Sequence, residues 1–413
     1  MRSLFSRSST PCGVLQAVAA TLLAASLAAC GGGSDSPDET PVPAVPDTSA
    51  PQPPAAPQAP ALSLSSYDNK MQAIATLGPL ALAQHFSPAL AASLLQSNSY
   101  AFGDFFGNGT MGLITHTFEY NFDASKQDQL GKVLAFELVN GQWKEKDLQI
   151  SGGNSGCLHP RKAVVSDFNG DGKADVFFAC TGLDLPPFPG ERSLLLVQTD
   201  SGFDKHFITT PGSNYLHGAS AADLNGDGLA DLVIANMSSI KQDGPGCEGT
   251  AILINQGNLS FRADASLIKD YDYCQTSYSA EFLRLGDDQP YSLLLSGHGS
   301  STGGNMQQPQ LFQWKDGQFH ADLVLPAVPD FGLVLDAVYS DGHLYALRTM
   351  DMDGQFYAQD LIQKIPLHQP AQASIIYEHQ GLYPNYNSWI NWIGFYQGKL
   401  VSLLDEFGLK INK

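Results

Sequence analysis

Two nonapeptides gather side-chain oxygen at regular positions: DFNGDGKAD at residues 167–175 and DLNGDGLAD at residues 223–231. In each, oxygen-bearing side chains stand at positions one, three, five and nine, and Gly at position six lets the chain turn sharply. Three carboxylates in so short a span repel one another unless a cation neutralises them. Hard oxygen donors on a flexible loop select Ca²⁺ over Zn²⁺ or Cu²⁺. The expected ligands of a first site are the side chains of Asp167, Asn169, Asp171 and Asp175 with the carbonyl of Lys173. Those of a second are Asp223, Asn225, Asp227 and Asp231 with the carbonyl of Leu229. Two Ca²⁺ ions are thus the expected cofactors, and an acidic Asx-rich turn is the plainer alternative.

The spacing matches the first nine positions of an EF-hand loop. Position twelve departs from it: Phe178 and Ile234 stand where a bidentate Glu belongs, and each motif runs into an apolar strand-like segment rather than a helix. A strand–loop–strand site follows. A third copy, DFFGNGTMG at residues 104–112, keeps Asp104, Asn108 and Gly109 but has Phe106 and Gly112 at two ligand positions, which predicts the turn without the metal. DFNGDGKADVFFA and ADLNGDGLADLVIAN resemble the FG-GAP/VCBS repeats of integrin-alpha-type β-propellers and of many bacterial surface proteins. That resemblance implies calcium in loops between strands, and it extends over roughly residues 104–413 as architecture.

The elements that must hold such loops show a period of their own. Apolar crests at Leu113, Val176, Leu232, Leu293, Leu344 and Leu400 lie roughly 57 residues apart. One period contains four strand-like pieces, ADVFFA, SLLLVQT, DKHFITT and ASAADL. Four antiparallel strands repeated about an axis make a blade, so the fold class is an all-β propeller over residues 99–413. The crests predict six blades, or seven if residues 66–97 hide a divergent unit. The last crest, KLVSLLDEFGLKINK, has room for about two strands, and the strand near SYAFGDF is expected to complete it and close the ring. Residues 62–98 read as a short helical lead-in, with Ser87 as a helix N-cap before Pro88.

Upstream of the fold, residues 1–29 read as a secretory signal: Arg2 and Arg7 precede a short Ala/Leu-rich run that ends on small residues. Leu27-Ala28-Ala29-Cys30 resembles the bacterial lipobox, which implies Cys30 as a lipidated mature N-terminus. Gly31 rather than Asp follows it, which, by resemblance to the sorting rules of two-membrane bacteria, implies the outer membrane. Residues 30–61 are rich in Pro, Gly and Ser, too poor in large apolar side chains to form a core, and read as a tether. The export context makes the four remaining cysteines candidates for disulfides. Of three connectivities, Cys157–Cys180 and Cys247–Cys274 are expected, because each closes a short loop, the first around an acidic motif and the second soon after the other.

Across 413 residues, 41 acidic against 22 basic side chains give a net charge of −19, which excludes nucleic acid as a partner. The reading that follows is a lipid-anchored cell-envelope module for binding or adhesion, with carbohydrate or protein as ligand. Tyr383, Tyr386, Trp389 and Trp392 offer aromatic contacts for a sugar face, unless they turn into the core between blades. An alternative is a polysaccharide lyase or hydrolase using His159, Arg161 and His217, with Glu191 and Glu248 in equivalent loops. The two histidines stand in corresponding places of two repeats, as a structural role predicts. A scaffold subunit of an envelope complex is the third reading. No HExxH or P-loop signals zinc or nucleotide chemistry.

Overall fold

Strands that are apolar at every position must be buried on both faces. In Asp175–Cys180, Val176, Phe178 and Cys180 enter one hydrophobic cluster while Phe177 and Ala179 enter the next. The same alternation separates Leu232 and Ile234 from Val233 and Ala235. Each such sheet is therefore sandwiched between two neighbours, which is the packing of a propeller blade. The computed structural model describes residues 56–79, 87, 94, 99–211, 214–237, 249–273, 275–286, 289–297, 307–351, 357–379, 381 and 392–402.

Among these residues, five sheets have four antiparallel strands. The first comprises β1 (Tyr100–Gly103), β2 (Gly112–His116), β3 (Val133–Val139) and β4 (Gln142–Glu145). The second comprises β5 (Pro160–Ser166), β6 (Asp175–Cys180), β7 (Ser193–Thr199) and β8 (Gly202–Ile208). The third comprises β9 (Leu216–Ala222), β10 (Asp231–Asn236), β11 (Thr250–Asn255) and β12 (Phe261–Ala263). The fourth comprises β13 (Ser279–Arg284), β14 (Tyr291–Ser296), β15 (Gln310–Lys315) and β16 (Gln318–Val324). The fifth comprises β17 (Leu333–Ser340), β18 (His343–Thr349), β19 (Asp360–Pro366) and β20 (Ser374–Glu378). A hairpin of β21 (Ile393–Tyr396) and β22 (Lys399–Ser402) follows.

The expected count of six blades is corrected to five plus this hairpin. Every apolar crest is indeed the second strand of its sheet, β22 included. The strand at residues 100–103 does not complete the last unit; it pairs with β2, with Ala101 opposite Ile114, and opens the first blade. The hairpin fills the gap instead, since Ile393 joins the fifth blade's core while Trp392 and Val401 pack with Tyr100, Phe102 and Leu113 of the first. The sequence period also straddles two sheets, because ASAADL belongs to β9, one blade on from ADVFFA.

No seventh blade begins at residue 66. Ser66–Leu77 is a helix, α1, capped by Ser65, whose Oγ accepts from the Asp68 amide at 3.2 Å. The expected helical lead-in docks on the ring itself, for it touches the C-terminal ends of four inner strands. Ser66 Oγ meets the Ala221 amide of β9 at 2.9 Å, and Asn69 Nδ2 donates to the Val165 carbonyl of β5 at 2.9 Å. Tyr67 OH accepts from the Tyr339 amide of β17 at 3.1 Å, and Asp68 pairs with Arg284 of β13 at 2.9 Å. Only the axis lies within reach of all four, so α1 closes the channel at that end. Ile74 fits against Gly394, where a Cβ would stand 2.5 Å from its Cδ1. The tether end is docked as well: the Ala59 amide donates to Gly109 and the Met111 amide to Pro57. Residues 1–55, Pro88 and their expected roles lie outside the described residues.

One carboxylate ties these parts together. Asp336 of β17 takes the Lys70 ammonium of α1 on Oδ1 and the Ile393 amide of β21 on Oδ2, the latter at 2.8 Å, and both charged side chains are buried. Asp336→Ala would leave a buried ammonium and a buried amide without acceptors, so we expect it to cost about 3–5 kcal/mol. The double variant Lys70→Met/Asp336→Leu should recover most of that loss in denaturant titrations. A single variant as stable as the parent would remove Asp336 from this role.

Candidate functional site

The two acidic loops join the first and second strands of neighbouring blades, β5 to β6 and β9 to β10, and fold alike. Asp167 accepts from the amides of Gly170 at 2.7 Å and Gly172 at 2.7 Å, and Asp223 from Gly226 at 2.7 Å and Gly228 at 3.0 Å. Asn169 and Asn225 each accept the amide two residues on at 3.0 Å, and Asp171 and Asp227 each do so at 2.9 Å. Gly172 and Gly228 turn the chain at φ 79° and 83°, the left-handed region where a side chain is strained. The side-chain oxygens at positions one, three and five are thereby held in fixed directions. Oδ1 of Asp167 and of Asp223 accepts a second amide as well, from Asp171 at 3.3 Å and from Asp227 at 3.2 Å, but their Oδ2 and the oxygens at positions three and five keep a lone pair, so the donor set fits a hard divalent cation.

Position nine differs in kind. Asp175 is fully buried and accepts from the Phe168 amide at 2.9 Å and the Gln198 amide at 2.8 Å; Asp231 accepts from Leu224 at 3.0 Å and Asn255 at 2.8 Å. Each ties its own loop to the third strand of its blade. Burial, reinforced by the loop's other carboxylates, pushes Asp175 up to about 7 and Asp231 to about 6. In metal-free protein the stabilisation from these two groups is fully present below the ordinary Asp range. It is lost as pH rises through about 6 and about 7, and a bound cation would offset that loss.

Gln198 and Asn255, which sequence reasoning missed, are equivalent residues that link successive loops around the ring. Gln198 donates to the Asp104 carbonyl at 3.2 Å and accepts from Ala174 at 3.0 Å; Asn255 donates to Phe168 at 2.9 Å and Ala230 at 3.1 Å. A polar residue near the end of two otherwise apolar third strands was the available signal. The degenerate loop keeps the turn: Asp104 accepts from Asn108 at 3.1 Å and Gly109 at 2.8 Å. Asn108 Nδ2 is turned instead onto Glu137, at 2.6 Å.

The residues considered for catalysis lie at the opposite ends of the inner strands, and their correspondence is not the expected one. β5 and β9 each carry a bulge, and the bulged residues are Arg161 and His217. His217 thus matches Arg161, and His159 matches Tyr215. His159 is fully buried, stacked on Phe118 at 4.3 Å with Phe122 across it at 5.4 Å, and neither ring nitrogen has a hydrogen-bond partner. Burial holds its pKa well below the ordinary value. An imidazole so enclosed is a core residue rather than a base. Glu191 is also committed, accepting the amides of Leu158 and His159 at 3.0 Å and Gly182 at 3.1 Å. It lies beside the Cys157–Cys180 disulfide, which pairs as expected; with both sulfurs bonded, that group offers no thiolate to a metal.

Trp392, considered for ligand contact, is buried with its ring 5.7 Å from Phe102, so it belongs to the core. Tyr383, Tyr386, Trp389, Glu248 and the Cys247–Cys274 pair lie outside the described residues.

The sequence of residues 167–234 matches the family described as FG-GAP-like repeat. The chain carries an FG-GAP-like repeat on a β-propeller. Its matched segment begins at the first metal-type loop and ends inside β10, just beyond the second. Among solved structures, the chain is similar to a candidate 6-phosphogluconolactonase from Bacteroides uniformis, 12% identical with a TM-score of 0.46, over 74% of this chain and 77% of that one. It is also similar to a protein from Lactobacillus plantarum, 12% identical with a TM-score of 0.41, over 74% and 76% of the two chains. No curated protein matches.

The two roles within the FG-GAP-like loops are separable. Asp175→Ala strands two buried amides and should cost about 2–4 kcal/mol in chelator. Asp171→Ala, at the exposed loop tip, should cost under about 1 kcal/mol in the same urea titration. Equal losses would show that position nine is no special brace.

Proposed function

We propose that this chain is a calcium-holding, lipid-anchored propeller of the bacterial cell envelope that serves as a binding or adhesion module for carbohydrate or protein. The observation that carries this reading is the pair of superimposable oxygen clusters around Asp167, Asp171, Asp223 and Asp227. Such loops stabilise the folded state by mass action when the ion is present, and extracellular modules commonly hold Ca²⁺ at about 10⁻⁴–10⁻³ M. The secretory leader, Cys30 and the Pro-rich segment after it support anchorage at the outer membrane of a two-membrane bacterium, with the tether spacing the propeller from the lipid. The enzyme reading is weakened by the enclosure of His159 and the commitment of Glu191 to backbone amides. A scaffold role in an envelope complex is the protein-binding form of the same proposal.

Calcium should raise the melting temperature of the mature protein, and chelator should reverse the rise. Asp171→Ala and Asp227→Ala should each remove part of the shift, while Asn108→Ala leaves it intact. No calcium heat at millimolar concentration in titration calorimetry, or a full shift in both Asp variants, would reduce the loops to acidic turns.

Anchorage is tested separately by labelled palmitate. The parent should incorporate label and sediment with membranes, and Cys30→Ala should do neither. Unchanged labelling and sedimentation in the variant would remove the anchor.

A further inference from the structure

We infer that a gap in the outer half of the first blade is a docking cleft for an extended, basic peptide segment, which it takes up by strand pairing with β3. The inference deepens the binding-module reading, naming protein as the ligand, and rests on it. β3 runs for seven residues and β4 for only four, so β4 covers residues 136–139 and stops. From Lys146 the chain swings out to the second blade, where the Gln149 carbonyl accepts from the Phe203 amide at 3.3 Å and the Ser151 amide donates to the Phe203 carbonyl at 2.8 Å. It returns at Asn154, whose carbonyl accepts from the Val133 amide at 2.8 Å. The detour leaves a cleft of about 900 Å³ where a longer β4 would lie. Val133, Ala135, Leu148 and Phe203 are its buried floor, and its rim, with Glu145, Asp147, Asn154 and Asp204, is exposed.

The floor presents a short length of unpaired strand edge. Successive residues of a strand turn their amide and carbonyl to opposite edges. The Lys132 carbonyl accepts from the Thr117 amide on the β2 side, at 2.9 Å, so Val133 and Ala135 face the cleft. Asn154 takes the Val133 amide, and the Lys146 amide donates to the Ala135 carbonyl at 2.9 Å. Between these two bonds the Val133 carbonyl and the Ala135 amide have no hydrogen-bond partner among the described residues. An unmet carbonyl and an unmet amide two residues apart on one edge are satisfied together by a single residue of a parallel strand. Its N–H donates to Val133 and its C=O accepts from Ala135. The flanking positions are already taken by Asn154 and Lys146, so the incoming chain pairs briefly and leaves.

Charge selects which chain. Glu145, Asp147 and Asp204 have no cationic partner among the described residues. The two lysines nearby are engaged elsewhere. Lys146 pairs with Glu137 at 3.1 Å and lies over the Phe106 ring at 4.3 Å. Lys205 donates to the carbonyls of Gly152, Gly153 and Ser155 at 3.1, 2.9 and 3.0 Å. A strand edge alone accepts any extended peptide, whereas three unneutralised carboxylates around it favour Lys and Arg side chains and reject acidic ones.

The test is fluorescence anisotropy on the calcium-loaded mature chain with labelled hexapeptides that alternate Val with Lys, Arg, Gln or Glu, beside a glycan array. At least one Lys or Arg peptide should bind, and its Glu counterpart at least tenfold more weakly. N-methylation of one alternate set of its residues, which removes the donors that meet Val133, should also cost at least tenfold. Hydrogen exchange in the segment containing Ala135 should slow on binding. The double variant Glu145→Lys/Asp204→Lys, both at exposed positions, should lower affinity at least tenfold with the melting temperature and calcium shift unchanged. Binding by no basic peptide, equal binding of the Glu peptide, full affinity of both N-methylated forms, or full affinity in the charge variant would overturn the cleft. Glycan binding without peptide binding overturns the cleft and leaves the module reading; binding of neither overturns both.

Discussion

A sheet whose middle strands are apolar on both faces cannot exist alone. β6 sends alternate residues into two clusters and leaves none for solvent, so a blade needs a neighbour on each side, and the only finite arrangement that satisfies every blade is a ring. That requirement accounts for the hairpin after the fifth blade. Among the described residues two strands stand there, with Ile393 and Trp392 covering the two facing blades.

A ring of sheets also makes an axis, and the polar edges of the inner strands must find partners there. Helix α1 supplies them at one end through Ser66, Tyr67, Asn69 and Lys70, each directed to a different strand or side chain. Buried ion pairs contribute little net stability on their own, but they fix register, and Asp336 fixes helix and hairpin with one side chain. The two ends of the molecule differ as a result. One is bonded to the helix, and the other is left to loops.

The sequence made local patterns legible and long-range ones opaque. The acidic loops, the crest strands and the Cys157–Cys180 bridge depend on spacing within a few dozen residues, and all fold as that spacing predicts. Blade count depended on which sheet receives residues 100–103, a choice made by burial of Tyr100 and Phe102 that no local pattern records. The same applies to α1, whose ordinary cap and length say nothing of where it docks. Pairing the two histidines failed because they stand 58 residues apart (217 − 159), whereas the acidic loops and the bulges at Arg161 and His217 stand 56 apart (223 − 167 and 217 − 161). Aligning the acidic loops residue by residue would have placed His217 opposite Arg161.

The loops themselves show how one motif serves two purposes. Positions one, three and five arrange oxygen at the surface, whereas position nine spends both its oxygens inside, on its own loop and on the third strand. Gln198 and Asn255 then carry each loop's position to the next blade. A cation at the tip would therefore act on a frame already braced by backbone hydrogen bonds, stiffening the junctions between blades without being needed to create them. Because that bracing joins the loop between first and second strands to the third strand at one end, the loops between second and third strands at the other end carry none of it. They are the segments in which Phe122, Phe188 and Tyr357 hold strained backbones, and a strained aromatic persists only where the frame beneath it is independently fixed.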